Sequence, residues 1–314
     1  MEVSFMKRAY FYIDDVIWLF RDLTRQRPAS LFDNFMLKQL KKAHDLYGAK
    51  FQLNIFYRTD FFYGNDEFTL AEMTDAYKPE FEANSDWLKM AVHSKQEFPD
   101  YPFVNLDYQD AYDLMQTVMG EIRRFAGENS ITYTMTPHWG PASLEACKAF
   151  KDCGVKLLWV SAGNKLPYDG DMDSLPYGHA FRLLHNRKPE TMLFTRGGLD
   201  TAISRSICGH NHITEEEGEA TRGTTYNHYD KASGLYFKLL CCLPAVNTIP
   251  SDEVDAYVLA NVDKEFLGFG THEQYSYPDY FAYQPDHLDK VLRCCQLAYE
   301  HGYTFIYADE LVTD

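Results

Sequence analysis

The chain has 314 residues, and its 30 Lys and Arg against 46 Asp and Glu give a formal net charge of −16. Such a charge repels nucleic-acid phosphates and anionic lipid, and no Lys or Arg cluster reverses it locally. Neither nucleic acid nor a membrane surface is therefore an expected partner. With 46% hydrophobic residues, the chain has enough apolar side chains for one long domain or two short ones.

The sequence shows no stretch that approaches the roughly 20 apolar residues of a membrane span, and no apolar targeting segment precedes the first predicted strand. We therefore expect a cytoplasmic protein, and its oligomeric state stays open. The seven cysteines are odd in number and lack a Cys-x-x-Cys pair, which predicts reduced thiols. The 23 Tyr and 22 Phe exceed the needs of a core, and aromatic faces suit sugar rings.

Short β-branched or aromatic runs alternate with helical patterns along the chain. The predicted elements, in chain order, are the strand 8–13, the helix 31–47, the strands 51–56 and 87–92, the helix 108–125, the strand 131–136, the helix 142–153, the strands 155–160 and 266–271, the helix 285–301 and the strand 303–307. This alternation predicts an α/β fold with a mostly parallel sheet, doubly wound or closed into a barrel. We expect one domain over 1–314, with 161–257 as a less regular insertion.

Ionisable residues stand at the carboxyl ends of four predicted strands, where both layouts bind ligands. Asp14 and Asp15 end the first strand, His93 ends the third, His138 follows the fourth, and His272 ends a late strand. Two carboxylates and several imidazoles that meet at one face are suited to hold a divalent metal and to move protons around it.

Each of these residues also has a structural interpretation when it is taken alone. Asp14 and Asp15 can cap a following helix, and neighbouring strand residues point to opposite sides, so both act at one site only if the chain turns there. His93 and Glu97 are four residues apart, which places them on one side of a helical turn but is also common on solvated helices. His138 is equally compatible with a hydrogen-bonded loop histidine.

Aromatic residues are concentrated in the segment that follows His272. We interpret Tyr275, Tyr277 and Tyr280 as stacking and hydroxyl-binding groups for a substrate that contains a ring.

Two polar segments lie in the less regular part of the chain. Cys208, His210 and His212 have a spacing found among zinc ligands, but without a fourth ligand an exposed polar loop is the simpler interpretation. The three glutamates at 215–217 open a polar stretch, 214–234, and are interpreted as a solvated helix start.

The order of the strand-end motifs resembles the polysaccharide deacetylase family, also called the NodB-homology domain or carbohydrate esterase family four. The family begins with a strand that ends in Asp-Asp, as at Asp14 and Asp15, and a late strand ends in histidine, as at His272. Its His-x-x-x-His motif corresponds to 93–97, and its Arg-x-Pro-x-Gly loop is similar to 134–140. The resemblance implies a distorted (β/α) barrel of the polysaccharide deacetylase type, and it is weak between 161 and 257.

The resemblance implies a metal-dependent hydrolase that removes an acetyl or other acyl group from an N- or O-acylated sugar, either a small molecule or an oligosaccharide. Asp15 and His93 would hold a divalent metal, with Zn²⁺ as the expected ion. Two departures from the family affect this site, because Glu97 replaces the second metal histidine and the arginine of the third motif is absent. Either Glu97 or His138 completes the metal site, or the metal is lost.

The resemblance also implies roles for the other strand-end residues. Asp14 would be the general base and His272 the general acid, while Trp139 would bind substrate and donate its backbone N–H to the oxyanion. Two other functions stay open. One is a metal-dependent amidohydrolase that acts on a small non-carbohydrate C–N bond, and the other is a non-catalytic carbohydrate-binding protein on a deacetylase frame.

Overall fold

The computed structural model describes residues 6–59, 67–97, 102–103, 106–140, 142–160 and 214–312. The strands are β1 (Arg8–Val16), β2 (Phe51–Phe56), β3 (Leu88–Ser94), β4 (Thr134–Met135), β5 (Leu157–Trp159), β6 (His228–Asp230), β7 (Leu235–Lys238), β8 (Phe266–His272) and β9 (Thr304–Phe305). The α-helices are α1 (Trp18–Gln26), α2 (Phe35–Tyr47), α3 (Lys78–Ala83), α4 (Tyr108–Phe125), α5 (Leu144–Asp152), α6 (Glu215–Glu219), α7 (Val254–Leu259) and α8 (His287–Glu300).

Two sheets form the centre of the described structure. The larger sheet has the order β3-β2-β1-β8, with β9 beside the start of β1, and all of its strand pairs are parallel. The smaller sheet has the order β4-β5-β7-β6, and only its β6-β7 hairpin is antiparallel. The predicted α/β fold with a mostly parallel sheet is therefore confirmed, and the carboxyl ends of β1, β3 and β8 lie at one edge.

The two sheets meet at two short seams. At one seam an isolated parallel bridge joins Met90 on β3 to Ile131. At the other, the backbone N–H of Cys242 donates to the Gly268 carbonyl on β8. A Cβ at Gly268 would lie 1.5 Å from the Leu240 carbonyl oxygen, so only glycine permits this approach. Because each seam is a local contact, the described strands form a distorted arrangement that does not close into a continuous barrel.

Local signals account for the limits of α2. The Asn34 side chain accepts hydrogen bonds from the backbone N–H groups of Met36 and Leu37, which caps the first turn. Gly48 ends the helix with a φ of 64° and donates its N–H to the His44 carbonyl.

Helix α1 begins with a cap from a distant part of the chain. The fully buried Glu273 carboxylate accepts backbone N–H bonds from Ile17, Trp18 and Leu19 at 2.8, 2.9 and 2.7 Å. Burial raises the pKa of Glu273 to about 7, and these three hydrogen bonds partly oppose the shift. The segment after β8 thereby holds the turn that follows Asp15.

The described cysteines and the polar stretch that begins at Thr214 agree with the sequence predictions. The six cysteines of the described ranges are all free thiols, as predicted, and helix α6 starts at the predicted glutamates with Thr214 as its cap. Cys208, His210 and His212 lie outside the described residues. Of the helices that the structure describes, none is both long enough and apolar enough to cross a bilayer.

Candidate metal centre

The end of β1 carries two aspartates in an irregular backbone. The register of β1 against β2 shifts between Ile13 and Val16, and Asp15 has a φ of 63°, which non-glycine residues rarely adopt. A regular strand would direct Asp14 and Asp15 to opposite faces, and this irregularity removes that restriction. Such backbone strain costs on the order of 1–3 kcal/mol and is concentrated at functional sites.

Asp15, His93 and His138 present three buried ligand atoms to one another. Asp15 Oδ1 lies 3.1 Å from His93 Nε2 and 3.4 Å from His138 Nδ1, and the two nitrogens are 3.1 Å apart. Three ligands bound at 2.0–2.1 Å to a tetrahedral Zn²⁺ would be separated by roughly 3.3 Å. The triangle therefore has the size of a zinc ligand set, and within the described ranges these are the residues grouped closely enough to hold an ion.

Backbone carbonyls determine which nitrogen of each imidazole faces the triangle with its lone pair. His93 Nδ1–H donates to the Thr136 carbonyl at 2.6 Å, and His138 Nε2–H donates to the Glu97 carbonyl at 2.8 Å. A carbonyl only accepts, so in the neutral rings His93 Nε2 and His138 Nδ1 carry lone pairs. Together with the Asp15 carboxylate, these lone pairs form a buried set of three acceptors that a cation stabilises.

Further contacts orient the three residues of the triangle. Gln274 donates its side-chain N–H to Asp15 Oδ2 at 2.8 Å, which leaves Oδ1 to the triangle. The Phe56 ring packs edge-on against His138 and tilted against His93, with centroid distances of 4.9 and 5.3 Å. Burial opposes ionisation of Asp15, but the imidazoles of His138 and His93 outweigh it and hold its pKa well below the usual range.

Asp14 lies beside His93, outside the triangle. Its Oδ1 accepts a hydrogen bond from Asn54 at 2.6 Å and is 3.9 Å from His93 Nδ1. Asn54 in turn accepts a hydrogen bond from Gln52 at 2.7 Å. Burial raises the pKa of Asp14 to about 7; the charge of Asp15 acts in the same direction, and His93 and Asn54 oppose it. A carboxyl group with this pKa can exchange its proton near neutral pH.

His272 is held by a network that the sequence did not reveal. Its Nδ1 lies 3.0 Å from Asn247 Oδ1, and the Thr271 hydroxyl donates to the same oxygen at 3.2 Å. His287 continues the network. Its Nε2 lies 2.7 Å from the Thr271 hydroxyl oxygen, and its Nδ1 lies 2.7 Å from the Ser276 hydroxyl oxygen. Because the Asn247 oxygen accepts, His272 Nδ1 carries the hydrogen and Nε2 carries the lone pair. Asn247 lies in a short 3₁₀ turn, and no strand end or motif marks it in the sequence.

Of the two residues that the sequence left open as a third ligand, the geometry groups His138 with Asp15 and His93. Glu97 Oε1 lies 3.8 Å from His138 Nε2, the nitrogen on the side of the ring away from Asp15. Glu97 is therefore not brought into the triangle, and its backbone carbonyl instead orients His138.

The three tyrosines predicted to bind substrate are buried, with at most 5% of each side chain exposed. Tyr277 packs edge-on against Trp18 and Phe35, each at a centroid distance of 5.1 Å. Tyr275 and Tyr280 pack against each other at 5.2 Å, and Tyr275 lies 6.2 Å from the His272 ring. Their ring faces are thus engaged with other side chains in this structure.

Trp139 occupies a tight turn beside the triangle. The Gly140 N–H donates to the Pro137 carbonyl at 2.8 Å, and Trp139 has a φ of 63°, which the third position of a type II turn needs. A Cβ at Gly140 would lie 2.5 Å from the Trp159 ring. The turn therefore depends on glycine and holds the Trp139 ring 5.8 Å from His138.

A small pocket adjoins the triangle, and its enclosed part has room for about one water molecule. Its lining residues are Asp15, Ile17, Trp18, Phe56, Arg58, Thr59, Glu97 and Gln274. A molecule in this pocket would meet the Asp15 carboxylate, two aromatic rings and a guanidinium group.

Comparison with known proteins gives distant structural likenesses. The chain matches no protein-family model and no curated protein sequence. It is similar to the Xyl-CE4 domain of a multidomain xylanase from the hindgut metagenome of Trinervitermes trinervoides, with 10% identity over 98% of this chain and 89% of that one and a TM-score of 0.40. A Streptococcus mutans CE4 esterase matches with 10% identity over 96% of this chain and 86% of that one and a TM-score of 0.35.

A 4-alpha-glucanotransferase from Thermococcus litoralis matches with 10% identity and a TM-score of 0.46, over 98% of this chain and 40% of that one.

Proposed function

We propose that this protein is a metal-dependent hydrolase that removes an acyl group from an N- or O-acylated sugar. The observation that carries the proposal is the triangle of Asp15, His93 and His138. Three acceptor atoms face one another there at 3.1–3.4 Å, and backbone carbonyls hold the imidazole hydrogens on the outside. Protein sites with two imidazoles and one carboxylate are typical of catalytic Zn²⁺.

Asp15, His93 and His138 would hold the Zn²⁺ or similar ion, which would supply Lewis-acid polarisation of the scissile carbonyl and a more acidic attacking water. Asp14 would accept the proton of that water through Oδ2, because its Oδ1 is held by Asn54 on the Nδ1 side of His93. His272 presents Nε2, because Asn247 binds its other nitrogen, and when protonated there it donates a proton to the leaving group. The backbone N–H of Trp139, fixed by the turn at 137–140, donates to the oxyanion.

A second candidate is hydrolysis of a small non-carbohydrate amide by the same residues. One observation favours it, because the tyrosines that were expected to stack on a sugar ring are instead packed against Trp18, Phe35 and one another. The two candidates differ in substrate and share the triangle.

The test combines metal content with product release. The purified chain is loaded with Zn²⁺, and acetate release is measured from N-acetylated sugars, O-acetylated sugars and N-acetylated amino acids. We expect Asp15→Asn and His138→Gln to lose both the metal and the activity, because each removes one ligand atom of the triangle. Glu97→Gln is the matched control for metal binding and is expected to keep one ion per chain.

Sugar turnover that depends on the triangle supports the first candidate, and turnover of the amino-acid amides alone supports the second. Full metal content and unchanged rates in both Asp15→Asn and His138→Gln would contradict the proposal. Sugar binding in excess chelator, without product, would favour a non-catalytic binding protein.

A further inference from the structure

Arg58 is a cationic side chain on the wall of the pocket that contains Asp15. Its Nε donates a hydrogen bond to the neutral Gln96 side chain. Of the residues that the structure describes, no carboxylate lies within ion-pair distance of this guanidinium, although Glu97 lines the same pocket. Among the described residues, the positive charge of Arg58 is therefore not balanced by a direct ion pair.

Among the described residues, Arg58 shares this lack of an ion pair with Arg8 and Arg27 and differs from five other arginines. Five arginines form ion pairs with carboxylates, namely Arg21 with Asp22, Arg123 with Glu128, Arg124 with Glu121, Arg222 with Glu219 and Arg293 with Asp255. Acidic residues outnumber basic ones by 46 to 30, so partners for a surface arginine are abundant. An arginine that has no such partner in the described ranges and that lines a pocket beside the triangle is suited to an anion from outside the chain.

Backbone contacts fix the main chain at Arg58, and Gln96 contacts its side chain. The Arg58 N–H donates to the Lys95 carbonyl at 3.0 Å, and an isolated antiparallel bridge joins Arg58 to Thr69. Since Gln96 engages Nε, the two terminal nitrogens are left as the edge that binds a carboxylate or phosphate through two parallel hydrogen bonds.

We propose that Arg58 binds an anionic group, a carboxylate or a phosphate, on the substrate that is cleaved at the triangle. This inference rests on the proposed hydrolase function and narrows its substrate to acidic acylated compounds. Trp18 and Phe56 line the same pocket and would border the part of the substrate that lies between the anionic group and the acyl group. A charge-assisted pair of this kind is expected to strengthen binding by at least about tenfold.

The test compares three acetylated sugars that differ in charge: N-acetylglucosamine, N-acetylglucosaminuronic acid and N-acetylglucosamine 6-phosphate. Binding to the zinc-loaded full chain is measured by calorimetry, and acetate release is measured in parallel. We expect one or both anionic sugars to bind at least about tenfold more tightly than the neutral sugar. The stronger of the two identifies a carboxylate or a phosphate as the recognised group.

Variants assign the preference to Arg58. Arg58→Gln is expected to bring the affinity ratio of anionic to neutral sugar close to one. Arg58→Lys is expected to retain part of this ratio, because lysine keeps the positive charge but lacks the two parallel N–H donors of the guanidinium. Lys95→Gln is the matched control, since it removes an exposed positive charge next in the chain to Gln96, and it is expected to keep the wild-type ratio.

The outcomes separate this inference from the proposed function. Equal binding of the three sugars, or a preference that survives in Arg58→Gln, overturns the role of Arg58 even if acetate is released. A preference that depends on Arg58 without any acetate release supports the anion site and overturns the hydrolase proposal. Absence of both binding and release overturns both.

Discussion

Replacement of His287 by glutamine is expected to make the fold less sensitive to acid. His287 is 1% exposed, and its two ring nitrogens each lie 2.7 Å from a hydroxyl oxygen, of Thr271 and Ser276. Burial lowers the pKa of His287 to about 3; the charges of Lys290 and His272 act in the same direction, and Asp286 opposes them.

The size of the effect follows from proton linkage. The pKa of this imidazole is depressed from its ordinary value of 6.5 in the unfolded chain to about 3 in the folded one, so on acidification the unfolded chain binds the proton first. The stabilising contribution is therefore complete above pH 6.5 and is lost as the pH falls toward 3. Linkage over the interval from pH 7.5 to pH 5 amounts to a loss of about 2 kcal/mol in the free energy of unfolding.

The assay is urea denaturation at pH 7.5 and at pH 5, in the presence of a chelator so that protonation of the triangle does not release metal. The free energy of unfolding of wild type is expected to fall by about 2 kcal/mol more than that of His287→Gln over this interval. His301→Gln, which removes an exposed histidine at the end of α8, controls for the loss of one imidazole. Equal pH dependence of wild type and His287→Gln would show that protonation of His287 does not destabilise the fold.

Three other substitutions test contacts around the centre. Glu273→Ala leaves three backbone N–H groups at the start of α1 without their acceptor and is expected to lower the free energy of unfolding by about 3 kcal/mol or more, measured by urea denaturation. Gln274→Ala removes the hydrogen bond to Asp15 Oδ2 and is expected to weaken Zn²⁺ binding about 10- to 100-fold in a competition titration. Gly268→Ala places a Cβ 1.5 Å from the Leu240 carbonyl oxygen, and its thermal midpoint is expected to fall well below that of wild type.

Elements defined by local signals were predictable from the sequence. The strand 51–56 and the helix 108–125 have the predicted bounds, because each combines a clear periodicity with recognisable ends. Helix α1 was not predicted, since its cap is the Glu273 carboxylate and no local side chain caps it. A helix stabilised by a contact more than 250 residues away carries no capping signal in its own segment.

The sequence identified the residues of the candidate centre, but it did not predict how their side chains are arranged. Asp15, His93 and His138 were identified because parallel strands end at one edge of a sheet. The choice between Glu97 and His138 depends on which ring nitrogen faces Asp15, and the Glu97 carbonyl determines this in three dimensions. The left-handed backbone at Asp15 likewise accompanies the irregular pairing of β1 with β2, and no residue type in this segment predicts that irregularity.

Anomalous X-ray diffraction at the zinc edge, on crystals grown with Zn²⁺, tests whether the triangle binds the ion. We expect one strong peak about 2.0–2.1 Å from each of Asp15 Oδ1, His93 Nε2 and His138 Nδ1. Absence of a peak at these atoms, or a peak bound by Glu97 in place of His138, would contradict this expectation.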